Sequence, residues 1–332
     1  MLRRTSSRRP DAGGAAGAVL TASHEASASA DAMAGLPLDL DLKAQIEPAL
    51  ERLVRGMGEQ CLSDHAFSNL YLFRQVHAYR YLPGRHPCVS GRTYDGVRHL
   101  LPLFHLHELP AAEARAMLRD HDCFYPVARR DADRLDPQVF VSSESRDDAD
   151  YLYTGASFRD YRGTALGKKR NLMNQLLAAR ELRCQPYSGE LRDDALGVLD
   201  TWMHDKVKAK GEADQAACIE ALQHAAEFGL EGFVHYADGR PAGFVLAQEI
   251  QPAVFVMRFA KGMNAFKGIY QYMFHHFCTR FERPVDWLNF EQDMGLANFR
   301  RTKLSYRPVS LLSKFRVRLR EPYWRERERQ AG

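Results

Sequence analysis

The chain of 332 residues is long enough for two domains of ordinary size. Hydrophobic residues make up 45% and charged residues 27%, which is typical of a folded protein with a substantial core and not of a disordered chain. The net charge of +4 is too small to require a nucleic-acid or membrane partner, although residues 159–183 carry seven cations against two acidic residues.

The first 35 residues differ in composition from the rest of the chain. Four arginines lie within the first nine positions, and Ala, Gly and Ser follow. The apolar run 15–20 is too short for a secretory signal, and Asp11, Glu25 and Asp31 are atypical of a transit peptide. Because few large apolar residues are present, we predict that residues 1–35 are a disordered leader, or that the translation start is placed too far upstream.

Hydrophobic periodicity predicts a first mixed α/β unit at residues 36–184. The predicted elements are, in order, a helix at 40–57, extended chain at 67–81, two strands within 87–106 around a turn at 94–96, a helix at 110–120, strands at 139–142 and 151–153, and a helix at 168–182.

A second α/β unit is predicted at residues 185–318, and a basic tail at 319–332. Its elements are helices at 193–208 and 213–228, strands at 232–236, 242–250 and 253–259, a helix at 267–281, a strand at 285–290, a helix at 294–303 and a strand at 306–316. Asp238 and Gly239 have the chemistry of a hairpin turn. The order ααβββαβαβ resembles that of a GNAT acyltransferase domain.

The six cysteines are scattered and show no CxxC pair or Cys/His spacing typical of a metal site. We therefore predict reduced thiols in a cytoplasmic protein, and no metal site. His275 and His276 lie beside the apolar stripe of the helix at 267–281, so structural roles are favoured for them. No run of about 18 apolar residues occurs, so no transmembrane segment is predicted.

The stretch 286–308 concentrates charged groups around one predicted strand and one short helix. In a strand, Asn289 and Glu291 share a face, because residues i and i+2 point the same way. Asp293 then occupies a helix N-cap position. Arg300 and Lys303 are spaced i, i+3 on that helix and project together. We expect these groups to converge on one cleft between the two units.

The same stretch resembles the C-terminal signature of the DUF2156 family, the phosphatidylglycerol lysyltransferase C-terminal-like group. The matching residues are Glu291, Asp293, Gly295, Phe299, Arg300, Lys303, Tyr306 and Pro308. Two further segments, 64–73 and 148–177, resemble the family's D-x-x-F-x-N-L-Y and D-Y-x-Y … K-R-N patterns. The resemblance implies two fused GNAT-type folds and a soluble aminoacyltransferase or acyltransferase without a permanently bound cofactor.

By the same resemblance, the donor is aminoacyl-tRNA, bound by its acceptor end, and the acceptor is a hydroxyl or an amine. A lipid headgroup at a membrane surface is one such acceptor. Lipid-modifying members carry an N-terminal membrane region, and this sequence has no segment of that kind. The oligomeric state is left open.

An acyltransferase must orient a nucleophile, remove its proton and stabilise an oxyanion. We assign catalytic roles to Glu291, Asp293 and Tyr306, and donor or anion binding to Arg300, Lys303, Lys168, Lys169, Arg170, Asn171 and Lys267. Asn171 rests on the resemblance alone.

Structural alternatives stay open for these residues. Asp293 can be a plain N-cap, Glu291 can form a surface salt bridge to Arg300 or Lys303, and Tyr306 can be a core aromatic residue. Residues 168–170 are cations at a helix start, where acidic residues would stabilise the helix. Contact with an anion is therefore favoured as their role over stabilisation of the helix.

Acyl-CoA enzymes of the GNAT type usually hold the pyrophosphate on a Gly-rich turn between the fourth strand and the next helix. Here that turn, 261–268, lacks the Gly-rich pattern, which argues against acetyl-CoA as donor. Two alternatives remain: an N-acyltransferase using acyl-CoA or an acyl carrier, and a catalytically silent protein that binds RNA or a membrane through a basic face.

Overall fold

The structure is a computed structural model that describes residues 35–205 and 214–320. The leader predicted at 1–35 lies outside the described residues except for its last position. The end of the helix predicted at 193–208 and all but the first two residues of the basic tail also lie outside them.

Fourteen strands and ten α-helices make up the described part of the chain. Strands β1 to β14 are Leu36–Pro37, Arg80–Leu82, Cys88–Arg92, Arg98–Pro102, Cys123–Ala128, Phe140–Glu144, Asp150–Thr154, Leu182–Pro186, Leu230–Ala237, Arg240–Gln251, Val254–Gly262, Trp287–Asn289, Ser310–Leu312 and Lys314–Leu319. Helices α1 to α10 are Lys43–Val54, Phe67–Leu72, Ala111–Met117, Arg129–Ala132, Gly155–Asp160, Gly167–Ala179, Arg192–Asp205, Gln215–Gln223, Ile269–Arg280 and Ala297–Leu304.

The strands form two mixed seven-stranded sheets. Sheet A has the order β1-β2-β3-β4-β5-β14-β6, and sheet B has the order β13-β7-β12-β11-β10-β9-β8. Most neighbours are antiparallel, whereas β4 with β5 and β11 with β12 are parallel. The predicted mixed α/β class is therefore confirmed.

Each sheet contains a strand from the other half of the chain. Strand β7 precedes the predicted boundary at 184/185, yet it lies in sheet B between β12 and β13. Strand β14, near the end of the described chain, lies in sheet A between β5 and β6. The division into domains at 36–184 and 185–318 stays a prediction, and the strand pairing does not follow it.

Several local signals are confirmed. Asp238 and Gly239 have φ angles of 50° and 74° and join β9 to β10 with Ala237 opposite Arg240, as a type I′ hairpin requires. On α9 the buried stripe contains Ile269, Met273 and Phe277, at the predicted spacing.

Two other assignments were wrong. Extended chain was predicted at 67–81, but residues 67–72 form α2. All six residues of α2 are buried, so no amphipathic period marks it as a helix. The helix predicted at 168–182 ends at Ala179, and β8 begins at Leu182 as an edge strand of sheet B.

A buried lysine joins the two sheets. Lys314, the first residue of β14 in sheet A, is 0% exposed. Its Nζ lies 2.8 Å from an oxygen of Asp150 on β7 in sheet B and 2.6 Å from an oxygen of Asp64. It also donates to the side-chain oxygen of Gln292. A buried cation needs such compensation, because its loss of hydration is otherwise unopposed.

The charges of this cluster stabilise one another. Burial by itself lowers the pKa of Lys314, but the carboxylates of Asp150 and Asp64 raise it above the ordinary value. Burial likewise raises the pKa of Asp64, and Lys314 reverses this, so the net shift is downward. Lys314 and Asp64 are therefore both charged in the folded state at neutral pH.

Replacing Lys314 with Met should be strongly destabilising. The substitution leaves the carboxylates of Asp64 and Asp150 buried without their cation, and we expect a loss of about 3–5 kcal/mol in the free energy of unfolding. Urea denaturation of the full chain measures the change.

The matched control is Lys43→Met on α1, where Lys43 pairs with Glu47 at 3.4 Å and both side chains are about one-third exposed. An exposed pair of this kind contributes about 0.5 kcal/mol or less. Equal losses in the two variants would contradict a special role for Lys314.

Candidate functional site

The segment after β12 forms a strained turn, which we call the 290–295 turn. Glu291, Met294 and Gly295 have φ angles of 56°, 53° and 74°, so two side-chain-bearing residues adopt the left-handed conformation. Strain of this kind persists only where neighbouring contacts enforce it, and it is frequent at functional sites.

Asn289 ends the strand and starts the turn. Its side-chain oxygen accepts a hydrogen bond of 2.7 Å from the backbone N–H of Glu291, and its amide nitrogen donates to Asp150 at 2.9 Å. The chain therefore leaves the strand at Asn289. The prediction that Asn289 and Glu291 share one strand face was wrong, because the left-handed turn intervenes.

Lys303 holds the turn from α10. Its Nζ donates to the carbonyl oxygens of Phe290, Glu291 and Gln292 at 2.6, 3.1 and 2.5 Å. An ammonium group has three hydrogens, so all of them are used. Burial lowers the pKa of Lys303 to about 8. Lys303 thus positions the backbone of the turn and is not free to bind a donor phosphate.

Asp293 is the anionic centre of a second group of contacts. Its side chain is 0% exposed and accepts bonds of 2.9 and 2.8 Å from Arg300, 3.2 Å from Arg146 and 2.5 Å from the hydroxyl of Tyr151. Burial raises the pKa of Asp293, but the hydrogen bonds from Arg300 and Tyr151 outweigh it and hold the pKa well below its usual range.

The predicted N-cap role of Asp293 was wrong. Helix α10 begins at Ala297, and its N-cap position is Leu296, whose side chain makes no capping bond. Asp293 accepts instead from the backbone N–H of Gly295 within the turn. Arg300, predicted to bind the donor, spans Asp293 and Asp147 and is therefore engaged internally.

Glu291 presents a carboxylate at the turn. One oxygen accepts a 2.8 Å hydrogen bond from Arg258, whose side chain is 1% exposed, while the Glu291 side chain is 23% exposed. Within the described residues nothing donates to its second oxygen. Burial raises the pKa of Glu291, and the charges of Arg258 and Lys303 oppose that rise. The predicted alternative of a surface pair with Arg300 or Lys303 is thus replaced by a pair with Arg258.

Tyr306, assigned a catalytic role, lies in the core. It is 4% exposed, stacks on Phe158 and accepts a 2.7 Å hydrogen bond from Gln271. Burial raises its pKa well above the ordinary value. This environment corresponds to the core-aromatic alternative.

The remaining predicted anion contacts lie on α6 and at the start of α9. Lys168, Asn171 and Lys267 are exposed, and their side chains have no partner in the part of the chain that the structure describes. Lys169 lies 3.9 Å from the ring centroid of Tyr306, and Arg170 donates to the carbonyl of Tyr161. Three of the five predicted anion contacts in this region are therefore free to meet a ligand.

Sequence reasoning missed the partners that hold the site. Arg258 and Lys261 are the two charges within the otherwise apolar strand β11, and a charge in a buried strand requires a partner. That pattern could have identified Arg258. Arg146 and Tyr151 carried no comparable signal, because their roles depend on the approach of the 290–295 turn.

A cavity of about 400 Å³ adjoins this network. Its lining residues are Tyr94, Asp95, Ser143, Glu144, Ser145, Asp147, Arg316 and Arg318. Asp147 connects the cavity to the network, because its carboxylate pairs with Arg300. Neither Glu291 nor Lys303 lines this cavity, so the predicted cleft at those two residues stays a prediction.

The family model for the C-terminal part of phosphatidylglycerol lysyltransferase matches residues 57–318, which is most of the chain. The chain belongs to this family. The segments 64–73, 148–177 and 286–308, on which the resemblance rested, all lie within the match. They also meet in space, since Asp64, Asp150 and Gln292 all contact Lys314.

Solved structures agree with the family's fold. A conserved protein of unknown function from Bacteroides thetaiotaomicron VPI-5482 has a TM-score of 0.71 at 22% identity, covering 86% of this chain and 99% of its own. L-PGS from Bacillus licheniformis has a TM-score of 0.54 at 14% identity, covering 87% and 94%.

The C-terminal DUF2156 domain of a putative lysylphosphatidylglycerol synthetase from Agrobacterium fabrum has a TM-score of 0.51 at 12% identity, covering 83% and 92%. At these identities the similarity to solved structures establishes the fold only. No curated protein matches the chain.

The expected family and the class of acyl- or aminoacyltransferase are confirmed. The two fused GNAT-type folds stay a prediction. In the described ranges, no helix is both long enough and apolar enough to cross a bilayer.

Replacing Asp293 with Asn should destabilise this member of the family. Asn keeps the shape but loses the charge that Arg300 and Arg146 face, and we expect about 2 kcal/mol less free energy of unfolding at pH 7. Because the folded-state pKa of Asp293 is lowered, its contribution is present above about pH 4 and is lost as the pH falls further.

The variant should therefore show a weaker loss of stability below pH 4 than the unmodified protein, measured by urea unfolding across pH. Asp147→Asn is the control, because Asp147 contacts the same Arg300 but is 42% exposed. Its loss should stay under about 1 kcal/mol. An Asp293→Asn protein with unchanged stability would contradict the buried network.

Proposed function

We propose that this protein transfers an aminoacyl group from aminoacyl-tRNA to a hydroxyl or amine acceptor, with a lipid headgroup as one candidate acceptor. The family description names an enzyme that transfers a lysyl group to phosphatidylglycerol, which is an aminoacyl transfer to a lipid headgroup. The observation that carries the proposal is the half-buried carboxylate of Glu291, with one oxygen held by buried Arg258 and the other open.

Glu291 is suited to remove a proton from the acceptor. Burial raises its pKa, which makes the carboxylate a stronger base. The acceptor oxygen or nitrogen then attacks the ester carbonyl of the donor and forms the new bond. The ester bond to the tRNA ribose breaks, and the proton held by Glu291 passes to the departing ribose oxygen.

The proposed donor contacts are the exposed groups near α6. Lys168 and Asn171 at the start of α6 and Lys267 before α9 have side chains free of partners within the described chain. Gly268, next to Lys267, lies against α6, since a Cβ there would come within 2.3 Å of the carbonyl oxygen of Leu172. The three groups thus belong to neighbouring elements and suit a polyanion such as the acceptor end of tRNA.

Acidic groups at the turn between β11 and α9 argue against the binding of coenzyme A there. The backbone N–H of Asn264 donates to the carboxylate of Asp205 at 3.2 Å. Lys261 is buried and binds Asp214 at 2.6 Å. Carboxylates therefore occupy polar groups of the turn that would otherwise attract a pyrophosphate.

The transfer itself is tested by incubating the full chain with a mixture of charged tRNAs and two acceptors. The acceptors are phosphatidylglycerol vesicles and a water-soluble polyamine, and products are identified by mass spectrometry. We expect an aminoacylated product with at least one acceptor. Salt-dependent RNA binding without any product would instead support the silent binding protein.

Glu291→Gln should lower kcat about 100-fold, because general base catalysis contributes an effect of that order. The thermal unfolding temperature should also fall, since buried Arg258 loses its charged partner, so kcat is measured at a temperature at which circular dichroism shows that the variant is folded. Glu47→Gln on α1 is a control, because the Glu47 side chain is about one-third exposed and its partner Lys43 keeps a second contact, to the carbonyl oxygen of Glu227. Full activity of Glu291→Gln would refute its role as the base.

Acetyl-CoA should not bind at micromolar concentration, because the turn at 261–268 carries carboxylate partners and no Gly-rich cradle. Isothermal titration calorimetry with the full chain measures this. Micromolar binding that is lost in Lys267→Ala would overturn the expectation and favour the N-acyltransferase alternative.

A further inference from the structure

A cysteine and two histidines meet at the far edge of sheet B. The possible ligand atoms of Cys184, His235 and His276 all lie within 4.8 Å of one another. Cys184 on β8 is directly opposite His235 on β9 in the strand register. His276 reaches them from α9, and its ring centroid lies 5.1 Å from that of His235.

The two histidines lack the hydrogen bonds that buried rings normally make. His235 is 0% exposed, and neither of its ring nitrogens makes a well-formed hydrogen bond, although the backbone of Phe233 and Gly243 lies nearby. Nδ1 of His276 is buried and also has none. Buried polar atoms are satisfied in the great majority of cases, and an exception calls for a missing ligand, ion or water.

A second cluster in the protein shows the contrast. His105, His107 and Asp131 are also close enough to hold an ion, but both Nδ1 atoms lie 3.0 Å from the same oxygen of Asp131. Hydrogen bonds therefore explain that cluster without a metal. No such explanation applies to the cluster on sheet B.

We propose that Cys184, His235 and His276 bind a divalent late-transition-metal ion, with Zn²⁺ as the natural occupant. A thiolate and two imidazoles are the ligand types that Zn²⁺ prefers in a tetrahedral site. Zinc bonds of about 2.0–2.3 Å place ligand atoms roughly 3.3–3.7 Å apart, so the side chains need to close by about 1 Å. On binding, the Cys184 thiol loses its proton to solvent and the thiolate takes the metal.

The surroundings add one polar neighbour to the three ligands. The hydroxyl of Tyr272 lies 3.4 Å from the sulfur of Cys184. Cys184 and His276 are partly exposed, so an ion can enter from solvent.

The metal would cross-link the edge of sheet B to α9. Strand β8 is the last strand of the sheet and pairs on one side only. A bond from its cysteine to β9 and α9 would hold it in place. Strands β9, β10 and β11 separate this edge from β12 and Glu291, so the proposal does not depend on the proposed transferase function.

Cobalt titration of the chelator-treated full chain tests the site. Co²⁺ reports both its geometry and its ligands by absorption. We expect one equivalent to bind with the visible bands of tetrahedral cobalt and a thiolate charge-transfer band in the near ultraviolet. Cys184→Ser should lose the charge-transfer band, and His276→Gln should weaken Co²⁺ binding by at least about tenfold, since loss of a ligand should cost no less than loss of an outer-shell partner.

Zn²⁺ should displace the Co²⁺ and raise the thermal unfolding temperature of the unmodified protein but not of Cys184→Ser. His107→Gln is the matched control and should leave the cobalt spectrum and stoichiometry unchanged. Circular dichroism identifies any variant that fails to fold, and His276→Gln gives a second readout because His276 is only partly buried. Absence of binding, or a thiolate band that persists in Cys184→Ser, would overturn the proposal.

Discussion

The buried charge of Lys314 is the constraint on which the rest of the structure depends. Its cation lies in sheet A, and its carboxylate partners Asp150 and Asp64 come from sheet B and from the segment before α2. A charge without water around it is stable only while every partner stays in place. The pairing therefore fixes how the two sheets meet, and it reaches the site directly through Gln292 in the 290–295 turn.

The cations of the signature act mainly inside the protein. Lys303 donates all three of its hydrogens to backbone carbonyls, and Arg300 pairs with two carboxylates. Both residues therefore hold the 290–295 turn in its left-handed form. This rigid support presents Glu291, with buried Arg258 holding one of its oxygens. A carboxylate orients a reacting group well only if the shell around it cannot relax, so this support suits the proposed role of Glu291 as the base.

The turn after β11 lies at the position of the pyrophosphate turn in the predicted GNAT-type fold. A helix start follows it, but Asp205 and Asp214 take up a backbone N–H and the ammonium group of Lys261. The exposed cations lie instead at the starts of α6 and α9. In the proposed function, these cations contact the acceptor end of tRNA.

The amino-acid sequence by itself determined the α/β class, the Asp238-Gly239 hairpin and the stripe of α9, because periodicity and turn chemistry are local. Its signature also predicted Glu291 as a site residue. Tertiary structure decided the partners: Arg258 for Glu291, Tyr151 for Asp293, and the meeting of Cys184 with His235 and His276. These partners are 33 to 142 residues apart in the sequence, and strand pairing and burial bring them together. Spacing along the chain does not predict such contacts, since they arise only when the chain folds.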